Sequence, residues 1–241
     1  MRIIITKDYE ELGKVASQHL LGQMMHKQDR VNLSITGGTT PYKVYEYLVP
    51  EVKNKGYLDH VHYYNFDEIP YQNNDREGIT MSDLRHLFFD PAAIKEAQIH
   101  PLTIENYKEQ DKQLQMAGGL DAVLLGIGAD GHYCGNLPGT TTINDYTTKI
   151  ACDGAMKERL QRLFDRAEDV PDYYVTMGPR SIMSARQLIL IANGKKKADI
   201  MQTFIEENIS LELPATILKM HPNLTVILDE DAASNLKGKT I

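Results

Sequence analysis

The sequence predicts an α/β chain with a mostly parallel central sheet covered by helices on both faces. Short β-branched or apolar runs alternate with amphipathic segments from end to end, the pattern of strands returning through helices to one sheet. Several of these runs end in loops rich in Gly, Thr and Asp, where open α/β sheets place ligands, just beyond the carboxyl ends of strands. With 241 residues, 42% hydrophobic and 24% charged, the composition is that of an ordinary globular protein. No internal repeat or low-complexity linker divides it. The expectation is a single domain over 1–241 with a Rossmann-like three-layer fold.

The elements follow in order. Arg2 to Thr6 reads as a β-branched strand, and Asp8 as the N-cap of a helix to about Met25, with Leu12, Val15, Ala16, His19 and Leu20 on one face. Val31 to Ile35 is a strand that meets Thr36-Gly37-Gly38-Thr39-Thr40-Pro41, and a helix carrying Val44, Tyr45 and Leu48 follows. Val61 to Phe66 is a strand ending in Asp67-Glu68-Ile69-Pro70. Thr80 caps a helix over about 81–88, Asp90-Pro91 starts another short one, and Asn106 to Met116 is a charged helix with a solvated face. Ala122 to Leu125 is a fully apolar strand, and the Thr-rich stretch from Thr140 to Lys149 reads as loop. Met156 to Asp169 is a charged helix or lid, and Tyr173 to Met177 a strand. A helix from Ser181, a strand from Gln187 to Ala192, a helix from about Ala198 to Glu206, a short helix within Pro214 to Met220 and a strand from Thr225 to Leu228 complete the chain.

The net charge of −7 disfavours nucleic acid, whose footprint is a basic face. It leaves room for an anionic small molecule, because local Lys and backbone N–H groups can override the global sign. Two cysteines, Cys134 and Cys152, imply no disulfide framework and suit a reducing compartment. No apolar run is long enough to span a bilayer, and the start of the chain lacks a signal-peptide core. The expectation is a cytoplasmic protein without a membrane partner.

Three loops carry chemistry-bearing residues. Thr36–Thr40 lies between a strand and a helix. Its glycines let backbone N–H groups approach an anion, its hydroxyls add donors, and the helix start adds partial positive charge. It is not a Walker loop, because no Gly-Lys-Ser/Thr follows. Asp67 and Glu68 stand at a strand end, where a carboxylate can take a proton from carbon beside a carbonyl; a solvated acidic turn is the plainer alternative. In Gly126-Ile127-Gly128-Ala129-Asp130-Gly131-His132, a carboxylate lies two residues from an imidazole that it can orient. The glycines formally match a dinucleotide fingerprint, but Gly135, Pro138 and Gly139 make the continuation a loop and Asp145 comes too early for the ribose acid. Cys134 reads as a small filler. Lys195-Lys196-Lys197 is an exposed helix start or a source of one phosphate-neutralising Lys.

Taken together, Thr36-Gly37-Gly38-Thr39-Thr40-Pro41, Asn65-Phe66-Asp67-Glu68, Gly126 to His132 and Gly194-Lys195-Lys196-Lys197-Ala198 resemble the glucosamine-6-phosphate deaminase and 6-phosphogluconolactonase superfamily. Their order and spacing span nearly the whole chain. The Val170-Pro171 to Gly178 block and the Pro214 to Pro222 block are similar to the deaminase branch. The resemblance implies a sugar-phosphate substrate held by Thr36, Gly37, Gly38, Thr39 and Thr40 with Lys197. An arginine adds to this, with Arg162 the first candidate and Arg159 the second. It implies that Asp67 moves a proton between C1 and C2, that Asp130 and His132 assist ring opening, and that no metal or organic cofactor takes part. Monomer and homo-oligomer both stay open.

The chain departs from both branches. The deaminases carry Asn-Glu-Pro after the His, and this chain has Asn136-Leu137-Pro138. Leu137 cannot accept a hydrogen bond, so it cannot complete an Asp–His–Glu relay; Glu68 is one carboxylate that could take that place. The lactonases have an apolar residue there but read Asp-Glu-Arg where this chain has Ile69 after Glu68. The leading expectation is deamination of an aminosugar 6-phosphate to a ketose phosphate and ammonia, classed as a C–N hydrolase. The second is lactone hydrolysis with His132 activating water. The third is a sugar-phosphate sensor without turnover.

Overall fold

The structure is a computed structural model that describes residues 1–237; residues 238–241, the end of the expected 1–241 unit, lie outside the described residues. In chain order it contains β1 (Arg2–Thr6), α1 (Tyr9–Met25), β2 (Val31–Ile35), α2 (Tyr42–Val52), β3 (Val61–Asn65), β4 (Asp67–Glu68), α3 (Ile79–Leu84), β5 (Ile99–His100) and α4 (Tyr107–Met116). These are followed by β6 (Ala122–Leu125), β7 (Thr148–Ala151), α5 (Gly154–Gln161), β8 (Tyr173–Thr176), α6 (Pro179–Met183), β9 (Leu188–Ala192), α7 (Ala198–Glu206) and β10 (Leu224–Asp229). Among the described residues no helix is long and apolar enough to cross a membrane.

The main sheet has seven strands in the order β1-β10-β9-β6-β2-β3-β5, all paired in parallel. Its central strands are apolar because both faces are buried. Side chains alternate across a strand, and the alternation sorts them into two cores. Ala122 and Leu124 of β6, with Ile189 and Ile191 of β9, pack toward Leu12, Leu20 and Val44 of α1 and α2. Val123 and Leu125, with Leu188 and Leu190, pack toward Leu114, Ile182, Met201 and Phe204. This is the expected three-layer α/β fold. Asp8 caps α1 through its side chain, which accepts the Glu11 N–H at 2.9 Å.

A second sheet was not anticipated. Three short strands, in the order β4-β8-β7, pair antiparallel. The strand expected at 173–177 belongs here, β7 ends the stretch read as loop, and the Asp67–Glu68 strand end is itself a strand. The helix expected over 156–169 stops at Gln161. There Leu163 and Phe164 donate to carbonyls three residues back, Leu160 and Gln161, which tightens the chain out of the α-helix. A separate short turn of helix forms at Ala167–Asp169.

The region after β4 also differs. Thr80 is inside α3 rather than capping it. The helix runs into a wide π-type turn over Arg85–Phe89, which buries both Phe88 and Phe89 against Tyr45 and Tyr63. The short helix expected at Asp90-Pro91 is a turn instead, with Ala93 in the left-handed region at φ 55°.

Candidate active site

Four adjacent strands of the main sheet, β3, β2, β6 and β9, deliver the three expected loops and the lysine-bearing loop to one edge. The edge is the carboxyl end, as expected for open α/β sheets. The Thr36–Thr40 loop follows β2, Asp67 follows β3, Gly126–His132 follows β6, and Lys197 follows β9. Thr36 to Thr40, Asp67, Gly126 to Gly128, His132, Cys134 and Lys197 line one hollow of about 250 Å³.

The Thr36–Thr40 loop is tied from beneath. The Tyr45 hydroxyl donates to the Thr36 carbonyl at 2.6 Å, and the Tyr9 hydroxyl to the carbonyls of Thr39 and Thr40 at 2.9 and 3.0 Å. Gly38 sits at φ 86°, a conformation that favours glycine. Its N–H donates to Asp83 at 3.0 Å, an acidic neighbour that sequence reading missed. Lys197 reaches across from the next loop, its Nζ donating to the Ile127 carbonyl at 2.6 Å. Burial pushes the Lys197 amine down, against the pull of Asp130.

Asp67 and Glu68 are neighbours with different surroundings. Asp67 is half-buried and accepts from the Thr80 hydroxyl at 3.0 Å. Burial pushes its carboxyl up to about 6, and the Thr80 bond partly restrains that rise. Glu68 is buried and turned away, accepting the N–H groups of Ile69 and Thr80 at 2.9 Å and of Met81 at 3.0 Å. Burial raises its carboxyl, the Thr80 and Met81 N–H groups oppose the rise, and the charge of Asp67 adds to it. Glu68 is therefore committed to the start of α3 and does not stand in for the carboxylate missing at Leu137. Because it caps the helix, the Thr80 hydroxyl is free to meet Asp67.

The glycine loop folds Asp130 and His132 together. The Gly128 N–H donates to the His132 carbonyl at 2.8 Å and the Gly131 N–H to the Gly128 carbonyl at 3.0 Å. A Cβ at Gly128 would overlap the His132 ring, so only glycine fits there. His132 Nδ1 is hydrogen-bonded to Asp130 Oδ1, which leaves Nε2 as the free ring nitrogen. Burial works to raise Asp130, but its bonds to Arg159 and His132 hold it well below the usual carboxylate range. Burial pushes His132 down, Asp130 pulls it up, and the charges of Arg159 and Lys197 push it down again. The loop beyond is pinned to β8. The Gly135 N–H donates to Thr176 Oγ1 at 2.9 Å, the Tyr174 hydroxyl to the Gly135 carbonyl at 2.7 Å, and Asn136 Nδ2 to the Met177 carbonyl at 2.9 Å. Since β8 also pairs with Asp67 and Glu68, the small sheet sets the position of Asp67 relative to His132.

Of the two arginines, Arg159 is at the site. Its Nη1 donates to Asp130 Oδ2 at 2.6 Å, and its Nη2 lies 3.1 Å from His132 Nδ1. The first candidate, Arg162, is exposed and lines neither hollow of the cleft. One helical turn separates the two, and Arg159 is on the side of α5 that faces the loop. A second hollow of about 200 Å³ shares Asp67, His132 and Cys134 with the first and continues beneath α5, where Leu137 lines it. A larger hollow of about 630 Å³ beside α4 contains none of the expected site residues.

The fold and site define an α/β protein that places two carboxylates and an imidazole beside a Gly- and Thr-rich loop at the carboxyl edge of a parallel sheet. The chain belongs to the family of glucosamine-6-phosphate isomerases and 6-phosphogluconolactonases, which it matches over residues 8–227. It is 34% identical to a glucosamine-6-phosphate deaminase of Thermoanaerobacter pseudethanolicus, over 97% of this chain and 94% of the relative. It is 32% identical to one of Shouchella clausii, over 97% of each. Among solved structures, a monomeric glucosamine-6-phosphate deaminase superposes with a TM-score of 0.82 at 26% identity, covering 98% of this chain and 100% of that one. The 6-phosphogluconolactonase of Trypanosoma cruzi shares the fold, with a TM-score of 0.74 at 19% identity, covering 98% of this chain and 97% of that one.

Proposed function

We propose that this chain, working as a single unit, isomerises and deaminates an aminosugar 6-phosphate, glucosamine 6-phosphate or a stereoisomer, to a ketose phosphate and ammonia. One observation carries the reading: Asp67, its carboxyl pushed up to about 6, lines the same hollow as the Thr36–Thr40 loop and His132. A base with a pKa near neutrality can both take and return a proton, as a C2-to-C1 shift requires. Thr36, Gly37, Gly38, Thr39, Thr40 and Lys197 hold the phosphate. His132, oriented by Asp130, moves the proton at the ring oxygen through Nε2. Arg159, held against Asp130, keeps that carboxylate charged and adds a cation beside His132 rather than lining the phosphate hollow. Water then replaces the amine at C2, so the net reaction hydrolyses a C–N bond.

Lactone hydrolysis is the second reading. Leu137 in place of a carboxylate and the two cations near His132 favour a neutral imidazole, the form that activates water. The test is ammonia release from hexosamine 6-phosphates with 6-phosphogluconolactone hydrolysis in parallel. Asp67→Asn should lower ammonia release by about a thousandfold or more. Lactone hydrolysis that survives Asp67→Asn but is lost in His132→Ala, with no ammonia from any hexosamine, would replace the first reading by the second.

A further inference from the structure

The hollow beneath α5 has an apolar wall made by Ile69, Leu137, Met156, Leu160 and Tyr174. Arg159 also lines it, but its guanidinium is occupied by Asp130. This hollow shares Asp67 and His132 with the first hollow, whereas the Thr36–Thr40 loop lines only the first. An unsubstituted aminosugar phosphate has nothing apolar to place there, and its hydroxyls or amine would lose water without finding partners. We propose that the substrate carries an alkyl group on its 2-amino nitrogen, and that the protein releases a primary alkylamine rather than ammonia. This rests on the deaminase reading.

The attachment point follows from the chemistry. Phosphate in the Thr36–Thr40 and Lys197 hollow places C6 there and brings the C2 hydrogen to Asp67. Groups at the C1–C2 end then face the apolar wall. A group on O1 would block ring opening, since C1 must become an aldehyde. An N-acyl group would delocalise the nitrogen lone pair that the iminium needs. An N-alkyl group meets both demands. Leu137 strengthens the case, since it gives this wall an apolar side chain with no hydrogen-bonding group to offer a hydroxyl or an ammonium.

The steps balance without a redox partner. Asp67 takes the C2 proton, the C–H electron pair forms the C1=C2 bond, and the C1 oxygen accepts a proton. The proton returns to C1 as the nitrogen lone pair forms a C2=N iminium. Water adds to C2, the C2–N bond breaks, and the alkylamine leaves with a proton, giving the ketose 6-phosphate.

The experiment measures ketose 6-phosphate formation from N-propyl-glucosamine 6-phosphate and from glucosamine 6-phosphate. The expected kcat/KM is about tenfold or more higher for the N-propyl compound, the scale of apolar discrimination by a few methylenes. That ratio should fall by about tenfold in Leu137→Glu and also in Met156→Asn, which guards against misfolding of either variant. Faster turnover of glucosamine 6-phosphate, or a ratio that neither variant moves, overturns the proposal and leaves the deaminase reading standing. No ketose phosphate from either compound would remove both.

Discussion

The two hollows of the cleft rest on different foundations. The one lined by Thr36–Thr40 and Lys197 grows from strands of the seven-stranded sheet, and tyrosine hydroxyls hold its backbone from below. The apolar one lies between a three-stranded antiparallel sheet and α5, held by a small cluster of Cys152, Leu160, Phe164, Val170 and Tyr174. A helix of 8 residues such as α5 is too short to persist in water without such packing. The contrast separates two tasks. On the proposed reading, the stiff sheet edge would hold the phosphate, and the thin layer, whose cluster is separate from the two main cores, would tell substrates apart. Asp67 stands at the junction, continuing from β3 of one sheet and forming part of β4 in the other.

The largest effect should come from breaking that junction. Glu68→Ala leaves the N–H groups of Ile69, Thr80 and Met81 without their shared acceptor in a buried place. Orphaning buried donors of this kind costs about 3 kcal/mol or more. Urea denaturation should show a lower midpoint. An unchanged midpoint would mean that water reaches these groups and that the two sheets are not joined through Glu68.

Within the polar hollow, Lys197→Ala should lower kcat/KM for a sugar 6-phosphate by about a hundredfold, mainly through KM, because a charge-assisted bond to phosphate is lost. The midpoint of unfolding should move little, since the sheet edge does not depend on this side chain. A KM that stays put would take Lys197 out of the phosphate site.

At the boundary between the hollows, Arg159→Gln should raise the pKa of His132. The substitution removes a cation beside the ring and leaves Asp130 to hold the imidazolium alone. The ring resonances of His132 followed by NMR through neutral pH would report it. No upward movement would show that Arg159 does not dwell at Asp130 in solution.

The sequence made the stiff half of this comparison legible and left the thin half obscure. Strands such as Ala122–Leu125 and Leu188–Ala192 are apolar on both faces, a signal that survives without context. The loops after β2 and β6 were readable because Gly38 and Gly128 are demanded by backbone geometry and close approach. The small sheet gives no such signal. β4 is only 2 residues long, and β7 alternates in burial among charged and polar neighbours. The roles of Glu68 and Thr80 were hidden for a related reason. A carboxylate at a strand end and a threonine before a helix have ordinary local uses, and only the tertiary structure exchanges them, giving the cap to Glu68 and the hydroxyl to Asp67. The motif fixes no register among the arginines, so only helical facing shows which of two residues three apart meets Asp130.

The smallest expected effect bears on the junction most directly. Thr80→Val keeps the shape of the side chain and removes the hydroxyl that donates to Asp67. That bond lowers the Asp67 pKa, so its loss should carry the value further above about 6. The acid limb of kcat/KM, which reports the free protein's base, should then move upward by less than about one pH unit. Stability should follow the same sign. Asp67 has a folded pKa of about 6, above the unfolded value of roughly 3.9. Its contribution is therefore complete below the unfolded value and is lost as pH rises through about 6. Above that pH the ionised, half-buried carboxylate is a burden of about 1–2 kcal/mol after allowing for solvent. Asp67→Asn should thus be inactive and more stable than the parent at pH 8, and Thr80→Val slightly less stable there. An acid limb that stays fixed in Thr80→Val while Asp67→Asn abolishes turnover would mean that a different group sets the limb.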